Sequence, residues 1–277
     1  MSRRCQNILR AQLAGLILFP LCLLAPAAQA ADIRGALIKV NDQRVPDRGV
    51  ATIRWMPSQK RYLVTVEGGI QIQVPLEQVR RLEIPKPANL DAAIQAAQRS
   101  PSSAIPVLKD IADVYTMLEW DVVAARWLGE AYMKMKQYKD AVDSLDKVAQ
   151  ANPGAVRSGE LFKTYCEALR LAGMKARLKK LLLDVIENGS RETVALAQIV
   201  RADMDVESGD NKGALVDGYL RTILLFQDIR AVQPEALYKA MKAHEKLGEH
   251  SHAEKWKRKL LQDYPDSTYS RELRGAS

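Results

Sequence analysis

Two periodicities divide the chain. From Ala31 to about Pro85, apolar and polar residues alternate in Val50-Ala51-Thr52-Ile53-Arg54-Trp55, in Arg61-Tyr62-Leu63-Val64-Thr65-Val66 and in Ile70-Gln71-Ile72-Gln73-Val74. A period of two carried by β-branched residues predicts strands. Pro57-Ser58-Gln59-Lys60 and Glu67-Gly68-Gly69 are short links with turn residues, so the three strands should form an antiparallel meander. Ala36 to Val40 before them and Arg81 to Ile84 after them bring the expectation to five short strands, enough to curl into a small barrel. Pro85-Lys86-Pro87 stops the sheet. From Leu90 onward the period is helical, and Gly and Pro fall almost entirely between segments.

The helical part repeats. Turn residues recur as Lys136-Gln137-Tyr138, Gly173-Met174-Lys175, Gly209-Asp210-Asn211 and Gly248-Glu249-His250, at intervals of 37, 36 and 39. Within the first unit stand Leu128-Gly129, Tyr132, Ala141, Leu145 and Pro153. Small residues at Gly129 and Ala141 let two antiparallel helices approach, Tyr132 and Leu145 fill the groove between them, and Pro153 ends the second helix. This set resembles the tetratricopeptide repeat, although Ala125 stands at its leading Trp position, with Trp127 two residues on. In the later units Leu178 replaces the small residue of the second helix, and Ala214 and Ala253 restore it.

The resemblance implies a mainly α chain: a tetratricopeptide-like solenoid of helical hairpins preceded by a small antiparallel β-barrel. The strand spacing, with Pro75 to Val79 as one helical turn before the last strand, resembles SH3-like barrels. The expected organisation is a signal over 1–30, a β-module over 31–86, a linker and degenerate capping helix pair (Asp91 to Arg99, Ser103 to Leu118) over 87–119, and repeats over 120–274 at about 120–153, 156–190, 192–228 and 234–267. A polar capping pair is what a solenoid end requires.

Arg3, Arg4 and Arg10 precede an uncharged run from Leu13 to Ala28 that ends in Ala28-Gln29-Ala30, the pattern of an export signal cut before Ala31. Pro20 and Pro26 interrupt the run, which is shorter than the roughly 20 residues of a membrane span, and no later stretch could span a bilayer. The expected location is the periplasm or the outer membrane. Cys166 is then the only cysteine left, so no internal disulfide is possible, and a buried, inert thiol is expected.

Charge changes the picture once it is divided. The net +8 includes the three arginines of the leader; residues 31–86 carry ten basic against six acidic side chains, and residues 87–277 carry 28 against 27. The excess belongs to the β-module, and a nucleic-acid partner is not expected from the overall basicity.

Candidate chemistry is sparse. No phosphate loop, Cys-x-x-Cys, His-Glu-x-x-His or Gly-x-Ser-x-Gly occurs, so neither enzyme activity nor a cofactor is expected. His244, His250 and His252 sit in the last repeat, where a metal is conceivable with Glu249 or Glu254 but solvent-facing histidines are the plainer expectation. Asp203 and Asp205, two apart on a helix, should point to different faces and be solvated. Asn188-Gly189-Ser190 reads as a helix-ending turn.

Function must then come from surface. In solenoids of this kind the first helix of each hairpin lines a concave groove. That places Arg126, Glu130 and Lys134, then Lys163, Glu167 and Arg170, then Asp203, then Tyr238 and Lys242 toward a partner. Some relatives by resemblance grip a peptide carboxylate with paired Lys and Asn. Glu130 and Glu167 stand where Asn would be and would repel it. The expectation is an envelope scaffold for a protein or peptide. The alternative is an envelope-polymer binder using the basic module through Arg44, Arg48, Arg54, Lys60, Arg61, Arg80 and Arg81.

Overall fold

The computed structural model describes residues 33–157 and 159–275; the expected export signal lies outside the described residues. Six strands form one antiparallel sheet: β1 (Ile33–Lys39), β2 (Arg44–Val45), β3 (Ala51–Met56), β4 (Arg61–Thr65), β5 (Gln71–Pro75) and β6 (Val79–Glu83). The strand order is β2-β1-β3-β4-β5, and β6 returns to pair with β1. The antiparallel meander forms as expected, and its register sets Ile53 opposite Val64 and Val64 opposite Ile72. A single 3-10 turn, Leu76–Gln78, precedes the last strand. Five strands were expected; the sixth is β2, a two-residue strand whose sequence is too short to show alternation. Arg44 pins the loop behind it by donating to the carbonyls of Pro46 (2.6 Å) and Gly49 (2.9 Å).

Alternation puts Ile33, Leu37, Ile53, Tyr62, Val64, Val74 and Leu82 on one buried face. That core is completed from the helical part by Met117 and Leu118. Helix α1 (Leu90–Arg99) is followed by α2 (Pro101–Val114), which stops four residues short of the expected Leu118. The backbone turns there through two left-handed residues, Met117 (φ 61°) and Glu119 (φ 74°), and drives the apolar pair into the sheet. Tyr62 donates its hydroxyl proton to the Met117 carbonyl (2.9 Å), the Glu119 carboxylate accepts from the Leu82 N–H (3.2 Å), and the Trp120 indole N–H donates to the Ile84 carbonyl (3.0 Å). Asp121, 2% exposed, accepts from the Met117 N–H (2.8 Å) and fixes the loop from below. Sheet and solenoid therefore pack through a shared core.

The solenoid continues with α3 (Trp120–Lys134) and α4 (Tyr138–Ala151), the single turn α5 (Pro153–Val156), α6 (Glu160–Leu171) and α7 (Lys175–Asn188), and α8 (Arg191–Glu207). The helix antiparallel to α8 begins as α9 (Asn211–Gly213), widens into a π-helical segment (Ala214–Tyr219) and ends as α10 (Leu220–Leu225). Helices α11 (Gln233–Lys246) and α12 (His250–Asp263) form the last hairpin, and α13 (Thr268–Leu273) closes the chain. Pro153 does not continue α4 but opens α5 as its first residue, where a missing N–H costs nothing.

Each hairpin of the repeats turns by one device. Lys136, Gly173, Gly209 and Gly248 all have positive φ (61°, 69°, 92° and 75°). The N–H of the following residue reaches back five positions, Gln137 to Tyr132, Met174 to Leu169, Asp210 to Asp205 and Glu249 to His244, each at 2.9 Å. This is the Schellman ending, which satisfies the last carbonyls of the first helix while reversing the chain. The regular spacing seen in the sequence is the spacing of these turns.

Small residues set the helix contacts. A Cβ on Gly129 would stand 3.0 Å from Leu145 Cδ1, and Leu145 is fully buried. Gly218, in the π-helical segment, lies against Ala202 of α8: a Cβ there would overlap Ala202 Cβ and stand 3.2 Å from its Cα. Ser190 ends the Asn188 to Ser190 turn by capping α8, its hydroxyl accepting from the Thr193 N–H (3.3 Å).

Candidate binding cleft

First helices pack on one another only in the N-terminal half. Helix α3 lies closely against both α1 and α6. Among the described residues, no comparable packing joins α6 to α8 or α8 to α11; α8 is held by α7 and the π-helical segment, and α11 by that segment and α10. The first helices α6, α8 and α11 consequently stand apart, and a cleft of about 560 Å³ opens between them.

One side of the cleft is apolar, built by Leu196, Ile199, Val200 and Met204 of α8 with Cys166 and Leu178 behind. Three of the predicted groove residues, Lys163, Glu167 and Arg170, line it from α6. Glu167 takes Arg170 through two bonds (2.9 and 2.7 Å), and Arg170 reaches across to Glu207 of α8 (3.8 Å). Lys163 pairs with Glu160 at 3.0 Å, and this bond holds the Glu160 carboxyl below its ordinary value.

At the other end Asp203 joins the cleft, 34% exposed but tied down through both oxygens where the sequence suggested a free carboxylate. Its Oδ2 receives Lys239 Nζ (2.6 Å) and its Oδ1 receives the Tyr219 hydroxyl (2.7 Å); Lys239 also pairs with Glu235 (2.6 Å). Burial alone would lower the Lys239 pKa, and the two carboxylates outweigh it and raise it. Burial and the Asp203 charge push the Tyr219 phenol well above its ordinary range. Glu235, Lys239 and Tyr219 escaped the sequence reading. Glu235 and Lys239 are four apart on α11, the one available signal, but Asp203 meets them only in three dimensions.

The remaining predicted groove residues are not brought together with these. Arg126 lies over the Trp127 ring (4.8 Å) and reaches Glu160 of α6 (3.7 Å). Glu130 accepts from Thr164 (3.4 Å), and Lys134 donates to the carbonyls of Ala97 (3.3 Å) and Gln98 (3.2 Å) at the end of α1. They stitch α3 to its neighbours. Tyr238 packs against Tyr269 of α13 with the rings tilted by 33° (5.1 Å) and donates to Glu272, while Lys242 pairs with Glu245 (3.0 Å).

His244 does not face solvent. It is 5% exposed, its Nδ1 lies 2.6 Å from Glu249 Oε2 across the hairpin turn, and its ring stacks on His252 (5.2 Å). The turn brings Glu249 back over the helix end, which spacing alone did not show. Cys166 is buried, and burial pushes its thiol far above the reactive range. Among the described residues, no group of three or more His, Cys, Asp or Glu side chains is placed to hold a metal, and no helix is long and apolar enough to cross a membrane.

No protein-family model matches this chain, and no curated protein matches it in sequence. Among solved structures it is similar to MamA, with 20% identity and a TM-score of 0.48 over 70% of this chain and 100% of that one. It is also similar to a kinesin light chain from Podosopora anserina with nearly identical TPR-like repeats (12%, 0.49, 67% and 95%). A third is YrrB, described as a TPR protein with an unusual peptide-binding site (18%, 0.41, 66% and 90%). The turns, helix pairs and small contact residues of the chain itself make its helical part a tetratricopeptide-like solenoid, preceded by a curled antiparallel sheet.

Proposed function

We propose that this chain is a non-catalytic scaffold of the bacterial cell envelope that holds a protein or peptide in the cleft between α6, α8 and α11. The observation that carries this reading is the separation of those three helices, which leaves an apolar wall on α8 open between two charged ends. Apolar surface rimmed by polar groups is the anatomy of a recognition site. The cleft holds Lys163, Arg170 and Lys239 against Glu167, Asp203, Glu207 and Glu235, so it favours a partner segment bearing apolar side chains and both signs of charge over a bare carboxylate terminus. The export pattern over residues 1–30 supports the envelope as the place of work.

A photo-cross-linking residue at Val200 of the full chain, expressed in cells of its source, tests this. The expected result is one discrete protein adduct in the envelope fraction, lost in Leu196→Glu, whose side chain lines only this cleft, and kept in Leu183→Glu, which alters the neighbouring depression between α7, α8 and α10. No adduct, or one indifferent to Leu196→Glu, overturns the reading.

A further inference from the structure

Among the described residues of the helical part, the large apolar side chains left exposed are Met135 and Leu247, which sit at hairpin turns, and Leu183, Val216, Leu224 and Leu225, which do not. The last three belong to the helix that runs through the π-helical segment into α10. Its exposed residues from Ala214 to Leu225 are Val216, Asp217, Arg221, Leu224 and Leu225, with Leu220 half-buried among them. Positions at this spacing share one helix face. The exposed residues of α4 and α12, by contrast, are all polar. A contiguous apolar patch on an otherwise charged surface marks an interaction site.

Beside this face lies the depression between α7, α8 and α10, about 570 Å³ in volume. Leu182, Leu183 and Met204 give it an apolar lining, and Asp217 and Arg221 stand on its rim. Leu224 and Leu225 do not line it; more than half exposed, they project one turn beyond Arg221 on the same face. The two charges are uncommitted. Arg201 donates to the Asp217 main-chain carbonyl (2.5 Å) and not to its carboxylate, and among the described residues neither that carboxylate nor Arg221 has an ionic partner. Within about three helical turns the surface therefore carries a hollow and the side chains to fill one, a free carboxylate and a free guanidinium.

We infer that this face is a two-fold interface between two copies of this chain. A two-fold contact uses one patch twice, so the patch must be its own complement. An antiparallel crossing centred on Leu220 sets Val216 of one copy against the second copy's Leu224. It carries Leu224 and Leu225 of each copy over the hollow of the other. It also brings each Asp217 near the second copy's Arg221, two positions from direct opposition, or about 3 Å along the axis, which an arginine side chain spans. A different protein would have to present the same set in reverse, whereas this chain already carries both halves. None of these α10 residues lines the cleft, so dimer and cleft can be tested apart.

Sedimentation velocity of the full chain from about 1 to 100 μM, the range of weak to moderate affinities, tests this. The expected result is a concentration-dependent equilibrium between monomer and dimer. Leu224→Glu should weaken the dimer at least tenfold, and Ile70→Glu, at a similarly exposed apolar side chain beside the sheet, should leave it within twofold. Asp217→Arg and Arg221→Asp should each weaken it at least tenfold, because like charges then meet across the two-fold. Mixed one to one, those two single variants should form a heterodimer at least as tight as the parent dimer, since one chain then carries both cations and the other both carboxylates. Each variant should unfold within about 2 °C of the parent, as exposed positions allow; should Leu224→Glu fail to fold, the charge mixture decides. A chain that stays monomeric over the whole range, with its face bare or taken by another protein, overturns the inference. So does a dimer indifferent to a folded Leu224→Glu, or a mixture that associates no more tightly than either charge variant alone.

Discussion

Replacing Gly218 by alanine adds one methyl group where the π-helical segment crosses α8. That methyl would overlap Ala202 Cβ and stand 3.2 Å from Ala202 Cα and 3.3 Å from the Gln198 carbonyl oxygen, and Ala202 is fully buried. Carbon atoms prefer separations of about 3.5–4.0 Å, and none of these neighbours can rotate away. The two helices must move apart. Overpacking of a closed contact costs about 1–3 kcal/mol, and backbone neighbours put this site at the upper end; alanine's better helix propensity returns about 1 kcal/mol. The expected net loss is about 2 kcal/mol, or roughly 4–8 °C in unfolding temperature for a domain of this size. Thermal unfolding followed by circular dichroism measures it, within a double-mutant cycle with Ala202→Gly. The double variant should recover most of the loss, because the glycine removes the atom the new methyl strikes. Gly129→Ala is the comparison: its methyl meets only the end of the Leu145 side chain, at 3.0 Å, and the change should stay within about 1 kcal/mol of the parent. A neutral or stabilising Gly218→Ala, or no rescue by Ala202→Gly, refutes the argument.

At Lys136, the one of the four repeat turns described that lacks glycine, φ is 61°. Lys136→Gly should stabilise by about 1 kcal/mol, the left-handed penalty of roughly 1–2 kcal/mol less the roughly 0.4–1 kcal/mol of extra freedom glycine gives the unfolded chain; urea unfolding showing a loss instead would contradict the turn geometry. Burial first, only partly offset by the Met117 and Val122 N–H groups, raises the Asp121 pKa, and burial likewise raises Glu119. The folded chain therefore keeps these protons at pH values where the unfolded chain has lost them, and their contribution to stability falls as pH rises above the ordinary carboxyl value of about 4. Unfolding temperature against pH should show that decline, flattened in Asp121→Asn and flatter still with Glu119→Gln added; an unchanged slope refutes the assignment.

What could be read in the sequence was what depends on neighbours along the chain. Glycine at a hairpin turn, alternation in β3 to β5 and small residues at Gly129 and Ala141 are local signals, and each corresponds to a local structure. Met117 and Leu118 misled because their apolar side chains extend the helical period of α2 while serving the core of the sheet, a partner far away in sequence. The π-helical segment left no trace, since Ala-Leu-Val-Asp-Gly-Tyr holds no helix breaker apart from the glycine that lets it meet Ala202. The cleft was half legible. The face of α6 follows from helical spacing, but whether α6 and α8 touch is decided by how α7 and the π-helical segment pack, and sequence spacing does not report that.

Met117 and Leu118 also settle where this protein can be divided. The change of period and the prolines at 85 and 87 suggest a joint between two interchangeable parts, yet a cut there would strip two buried side chains from one part and lay open the apolar seat they occupy in the other. Neither fragment would be a free-standing body. The sheet and the helices through α4, whose Ala151 also packs against the sheet core, form one folding unit, and a division that keeps every hairpin whole falls no earlier than the end of α4.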